Sequence, residues 1–272
     1  MLTKHNWFDT TLRRRAINKS CDFKIITNPY YFKYLSFDTA ADYTCEEIYK
    51  NYKNLYVAFS GGADSEFVLR CFHRNNIPVK PVIVKCGNPW EIRYAFKTCD
   101  SLKLEPIVIE ISEDVLVDFY IENILNKFDG VGYNSTHNLI ASRYVSQFNE
   151  AKIISGNHFI SDGNKVIDDR EYFFAYEWDF YTDYFLNDCN NINFFIYTIE
   201  IVYSMMPRCY VTWGKYKHEI YNIKLRDKMR HYYNYNTQLR LKQLLKIIKP
   251  KATGEIWSKH KFYSYFNNYK EN

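Results

Sequence analysis

Two adjacent glycines, Gly61 and Gly62, stand between a five-residue apolar run, Leu55-Tyr56-Val57-Ala58-Phe59, and a helical pattern, Glu66-Phe67-Val68-Leu69-Arg70-Cys71-Phe72. That order reads strand, turn, helix. Paired glycines permit a tight turn and a close approach of backbone to a ligand. A helix beginning there directs N–H groups and the positive end of its dipole at the turn. Ser60 and Ser65 add hydroxyls, and Asp64 adds a carboxylate. A turn of that composition suits an anion, above all phosphate.

Two common phosphate loops are excluded by inspection. A Walker A loop needs a lysine after its second glycine, and Ser60 to Ser65 contain none. A dinucleotide fingerprint needs three spaced glycines, and here only two stand, side by side. What remains, Ser60-Gly61-Gly62-Ala63-Asp64-Ser65, resembles the PP-loop of the N-type ATP pyrophosphatases, Ser-Gly-Gly-x-Asp-Ser, at every fixed position. The resemblance is sharp over about residues 54–76 and diffuse to about residue 168. It implies an adenine nucleotide α-hydrolase-like core of the HUP type that uses ATP with Mg²⁺. It also implies an AMP-forming ligase chemistry. A substrate oxygen attacks the α-phosphorus, pyrophosphate leaves, and a second nucleophile displaces AMP.

The pattern around the loop alternates. Strands are expected at 54–60, 79–85, 106–111 and 151–155. Helices are expected at 64–76, from Pro89 to about Leu102, at 113–128 and at about 136–148. Such alternation predicts a Rossmann-like α/β core over 54–168, a parallel sheet with helices on both faces. Ligands then bind at the carboxyl ends of the strands, near the switch in strand order. Residues 1–53 read as an N-terminal extension, with strands at Phe23–Ile26 and Tyr30–Leu35 and a helix at Ala41–Tyr52 capped near Asp38 or Thr39. Residues 169–272 read as a helix-rich, basic C-terminal region.

The candidate site follows from the loop and the resemblance. Backbone N–H groups of Gly61, Gly62, Ala63, Asp64 and Ser65, with the Ser60 and Ser65 hydroxyls, are expected to hold the pyrophosphate leaving group. Asp64 is an acid in an anion site, which a bridging Mg²⁺ reconciles; a first-turn acid that only complements the helix dipole is the plainer reading. The resemblance implies that Val57, Ala58 and Phe59, and the end of the second strand at Lys85, Cys86 and Gly87, receive the adenine. Gly156 and Asn157 follow the fourth strand, as in several PP-loop ligases. Asp162 is expected in that loop as a second magnesium ligand, and Lys165 and Arg143 as charges that neutralise the triphosphate. Ordinary surface ion pairing is the other reading for the last two.

Composition bounds the rest. The seven cysteines include no Cys-x-x-Cys pair, which fits reduced thiols and argues against a zinc site. No apolar run of about 18 residues exists, so no membrane span is expected. Met1 to Asn6 lack a signal-type apolar stretch, so a cytoplasmic location is expected. Dense Tyr, Phe, Asn and Lys with scarce Gly fit an AT-rich coding sequence, as viruses or low-GC bacteria carry. From Arg208 onward 15 Lys/Arg face 4 Asp/Glu, against 21 and 27 before it. Interleaved tyrosines make that segment a candidate RNA surface, as in tRNA-modifying PP-loop ligases, or else a basic amphipathic helix on the core.

The functions that remain are an ATP-dependent ligase acting on a small molecule or nucleobase, a nucleotide-binding module without turnover, and a sulfonucleotide-reductase relative. Paired catalytic cysteines and a Glu-Cys-Gly-x-His motif, which the last would need, are absent from the sequence.

Overall fold

A computed structural model describes residues 23–26, 35–86, 89–120, 122, 135–156, 161–167, 170–175, 191–201 and 204–205. The first described strand, β1, is Phe23–Ile26. The first helix, α1, is Phe37–Asn51. It starts earlier than Ala41 because Ser36 caps it: the Ser36 Oγ accepts the Thr39 N–H at 3.3 Å. Phe37 at the first helical position is then buried in the core.

Alternation then proceeds as β2 (Asn54–Ala58), α2 (Ala63–Arg74), β3 (Lys80–Lys85), α3 (Pro89–Leu102), β4 (Ile107–Glu110), α4 (Glu113–Tyr120), α5 (Ser135–Val145) and β5 (Ala151–Ser155). Pro89 opens α3 where its missing N–H costs no hydrogen bond. A final strand, β8 (Asn191–Asn193), leads into a 3₁₀ turn at Phe194–Ile196. The strands order β4-β3-β2-β5-β8, and every neighbouring pair is parallel. This is a Rossmann-like α/β sheet, as expected. The order reverses between β2 and β5, which makes the gap between their carboxyl ends the switch point.

Side chains on successive strand residues point to opposite faces, and both faces are buried here. Leu55, Val57 and Phe59 pack into one core cluster with α1 and α2, while Tyr56 and Ala58 pack into a second with Ala141 and Val145 of α5. The first cluster is strongly aromatic. Phe67 of α2 stacks on Phe37 with ring centroids 5.1 Å apart and on Phe195 at 6.0 Å. Phe194 and Phe195 are completely buried, each worth about 2–3 kcal/mol of transfer free energy. Polar ties add to them. Thr44 O–H donates to the Ala40 carbonyl at 2.8 Å, so the 2.6 Å contact with Thr198 has Thr198 as donor. Phe194, Phe195 and Thr198, which follow β8, thus lock onto α1 and α2.

Two strands, β6 (Ser161–Ile167) and β7 (Arg170–Ala175), form an antiparallel hairpin, and β1 pairs with β7 to complete a three-stranded sheet. Asp162 and Lys165 therefore lie on a strand, although Asp162 was expected in the loop at the edge of the parallel sheet. A register shift between Ser161 and Asn164 absorbs the glycine at 163. Beyond residue 169 the described part contributes β7 and β8, then the 3₁₀ turn at Phe194–Ile196 and helical residues at 199–201 and 204–205. Residues 206–272, with the whole basic segment, lie outside the described residues, as does the expected strand through Tyr34. No helix among the described residues is long and apolar enough to cross a membrane.

Candidate functional site

β2 hands the chain to the loop in an ordered way. The Phe59 N–H still donates to the Val82 carbonyl at 2.8 Å, so sheet pairing persists one residue past the strand. The backbone then turns at Gly61, whose φ of 82° lies in the left-handed region that favours glycine. Gly62 is the N-cap of α2, and no side chain caps the helix. The first helical bond runs from the Glu66 N–H to the Gly62 carbonyl at 2.9 Å. The N–H groups of Ala63, Asp64 and Ser65 therefore precede the helix's own ladder and lie at its positive end.

The two hydroxyls form a closed ring with Gly62. The Gly62 N–H donates to Ser60 Oγ at 3.2 Å. Ser65 O–H donates to the Gly62 carbonyl at 3.1 Å. The remaining contact, Ser60 Oγ to Ser65 Oγ at 3.2 Å, must then use the Ser60 proton, because Ser65 has only one. Ser65 is buried, Ser60 is exposed, and Asp64 and Gly62 are intermediate.

Gly156, directly after β5, closes the other side. A Cβ at this position would come within 3.0 Å of the Asp64 carbonyl carbon and of the Ser65 nitrogen and Cα. All three are backbone atoms, so no side-chain rotation would relieve the clash. The chain leaving β5 thus rests directly on the first turn of α2, at the switch point. Only a residue without a side chain permits that approach, as in glycine-mediated packing of helix on strand.

The other expected residues divide. Val57, Ala58 and Phe59 are buried beneath the loop. Cys86 is buried in the core at the end of β3, as a small apolar residue would be. Lys85 ends β3 with its Nζ 2.8 Å from Glu110 Oε1 on β4. Arg143 lies near the carboxyl end of α5, its guanidinium 4.9 Å from the Phe119 ring centroid. Its neighbour Ser142 accepts the Asn191 side-chain amide at 2.8 Å, at the amino end of β8. The structure sets Arg143 beside Phe119. Gly87 and Asn157 fall outside the described residues, as do the side chains of Asp162 and Lys165.

Sequence reasoning missed one feature of this neighbourhood. Glu66, immediately after the loop, is only 2% exposed and pairs with Arg70 at 2.9 Å. An acid so deeply buried needs a partner, and the i,i+4 spacing of Glu66 and Arg70 was the available signal.

Among the described residues no group of three or more His, Cys, Asp or Glu is placed to hold a metal ion. A magnesium ion carried on substrate phosphates commonly takes one or two protein carboxylates. Asp64, on the first turn of α2, fits the single-carboxylate case.

No protein-family model matches the sequence, and no curated protein is similar to it at a significant level. Similar solved structures include an NMN synthetase from Francisella tularensis, 12% identical with a TM-score of 0.35 over 46% of this chain and 56% of that one. The chain thus spans little more than half the length of that protein. Another is an NH3-dependent NAD synthetase from Campylobacter jejuni, 15% identical with a TM-score of 0.36 over 88% and 99%. A third is a predicted subunit of tRNA methyltransferase from Methanocaldococcus jannaschii, 16% identical with a TM-score of 0.30 over 39% and 53%. At these values the likeness carries no assignment. Sequence and strand order together place the motif Ser-Gly-Gly-x-Asp-Ser, Ser60 to Ser65, at the switch point of a Rossmann-like parallel sheet.

Proposed function

We propose that the chain is an ATP-dependent, AMP-forming ligase of the PP-loop type. The observation that carries this reading is the joint position of Ser60 to Ser65 and Gly156. The motif residues sit at a helix N-terminus, and the strand that faces them across the switch point packs against the same helical turn.

In this reading the β,γ-pyrophosphate of ATP lies over the start of α2. Amides of the loop and first turn hold its oxygens, and the Ser60 and Ser65 hydroxyls turn from each other toward it. The amides are fixed before the reaction, so they stabilise charge as it develops on the leaving group without reorganisation. Backbone groups at the carboxyl ends of β2 and β3 flank the nucleoside. Mg²⁺ held by Asp64 and phosphate oxygens would neutralise charge between α2 and the nucleotide. An acceptor oxygen attacks the α-phosphorus, the bond to the β-phosphate oxygen breaks, and pyrophosphate departs. A small molecule or a nucleobase is the proposed acceptor class.

The test is product analysis with ATP, Mg²⁺ and a panel of carboxylate- and carbonyl-bearing acceptors. AMP and pyrophosphate are expected. Release of ADP and phosphate would contradict the reading. ATP binding without any cleavage across the panel would favour a nucleotide-binding module instead.

A further inference from the structure

The loop contains no basic residue, unlike a Walker A loop, yet the proposed leaving group carries several negative charges. We propose that Lys85 is the cation of this site, and that its ion pair with Glu110 is a resting arrangement it leaves when a phosphate arrives; this rests on the reading of Ser60 to Ser65 as an ATP site.

The argument begins with register. β3 lies between β2 and β4. Ala58 stands opposite Val82 and the Phe59 N–H still reaches the Val82 carbonyl, so Lys85, at the end of β3, lies at the same carboxyl edge as the loop that follows β2. Ile83 packs in the core cluster that contains Phe67, Val68 and Leu69 of α2. Side chains two apart on a strand share a face. Lys85 therefore leaves the sheet on the face that α2 covers, at the carboxyl edge where α2 begins.

From there its ammonium has two neighbours in reach. On one side Glu110 is its register partner on β4, and Nζ now sits 2.8 Å from that carboxylate. On the other side is β2 and the loop. The pair with Glu110 is water-exposed at both ends, with 44% of the Lys85 side chain and 70% of the Glu110 side chain accessible. Such pairs are weakly held. A lysine ammonium on a flexible four-carbon stem changes partner readily, and a phosphate with more than one negative charge is a stronger partner than a single carboxylate. Among the described residues, Arg70 on α2 is paired with Glu66, and Arg143 on α5 lies against the Phe119 ring.

The two members of the pair should act in opposite directions. Titrations of the full chain with Mg²⁺ and ATP, pyrophosphate or adenosine are the measurement. Lys85→Met should weaken ATP and pyrophosphate roughly tenfold and leave adenosine unchanged, and Lys85→Arg should restore most of the loss. Glu110→Gln should tighten ATP roughly two- to fivefold by removing the competing carboxylate. Wild-type protein that binds ATP while both variants match it would overturn this inference alone. So would equal weakening by both variants with a lowered melting temperature, which marks a purely structural pair. Loss of adenosine binding in Lys85→Met would also overturn it, by moving the residue to the base. Wild-type protein that binds no ATP would overturn the ATP reading, and Lys85 with it.

Discussion

Ser60 and Ser65 face each other across the loop with their hydroxyl oxygens 3.2 Å apart, each already committed to Gly62 as well. The ring holds the loop in shape before any ligand enters. Ser65→Ala removes two of its three bonds and should lower ATP affinity roughly tenfold, with a stability cost of about 1 kcal/mol. Ser60→Ala should act similarly. The double variant should lose less than the sum, because the residues share one network. Titration of ATP against the three variants checks this, and additive losses would argue against the shared ring.

Gly156→Ala should be among the most damaging small substitutions in the chain. The new methyl would press on three backbone atoms of Asp64 and Ser65. Overpacking of this type costs about 1–3 kcal/mol. Here the strain falls on the turn proposed to bind phosphate, so ATP binding should collapse while far-UV circular dichroism stays native. Gly61→Ala forces a side chain into the left-handed region at φ 82° and should cost about 1 kcal/mol. Wild-type ATP affinity in Gly156→Ala would contradict the switch-point geometry.

Asp64→Asn separates the two readings of that acid. If it carries Mg²⁺, the variant should lose the magnesium dependence of ATP binding and at least about a hundredfold in turnover, several kcal/mol of barrier. If it only complements the helix dipole, the loss should be a few tenths to 1 kcal/mol of stability. Binding curves with and without magnesium, paired with thermal melts, distinguish these outcomes.

Two buried groups set an alkaline limit on stability. Burial pushes the Cys99 thiol from 9.0 to about 11, and burial pushes the Tyr197 hydroxyl from 10.0 to about 12. Both values lie above those of the unfolded chain, so the folded state holds these protons more tightly. The stability they contribute is complete below about pH 9 and drains away as pH rises toward 12. Denaturant midpoints across pH 8–12 should therefore fall, and Tyr197→Phe should flatten the upper part of the decline.

What sequence reasoning captured depended on how local the signal was. The loop was legible because six consecutive residues carry it between a strand and a helix. Pro89 and the run Ala151–Ser155 gave element limits that match the structure. The start of α1 did not, since Ser36, Asp38 and Thr39 are all capping residues, and the hydroxyl that reaches the Thr39 N–H decides among them. β8 was invisible because Asn191-Ile192-Asn193 has one apolar residue in three; the edge of β5 supplies its strand character. Asp162 looked like a loop residue because Ser161-Asp162-Gly163-Asn164 is polar and turn-like, and pairing of Asn164 and Lys165 with Phe173 and Tyr172 overrides that tendency. Contact between Gly156 and Ser65 joins distant segments, and nothing local announces it.

The late position of Phe194 and Phe195 has a consequence for how the protein is made. During synthesis all six loop residues leave the ribosome long before the two rings that seat α2. Until those rings arrive, Phe67 lacks two of its aromatic neighbours and the outer edge of β5 has no partner strand. A nascent chain halted near residue 168 would display the whole anion-binding motif on a helix not yet anchored. Nucleotide binding should therefore mature as a late event of chain growth, timed by a strand and two rings far downstream of the motif.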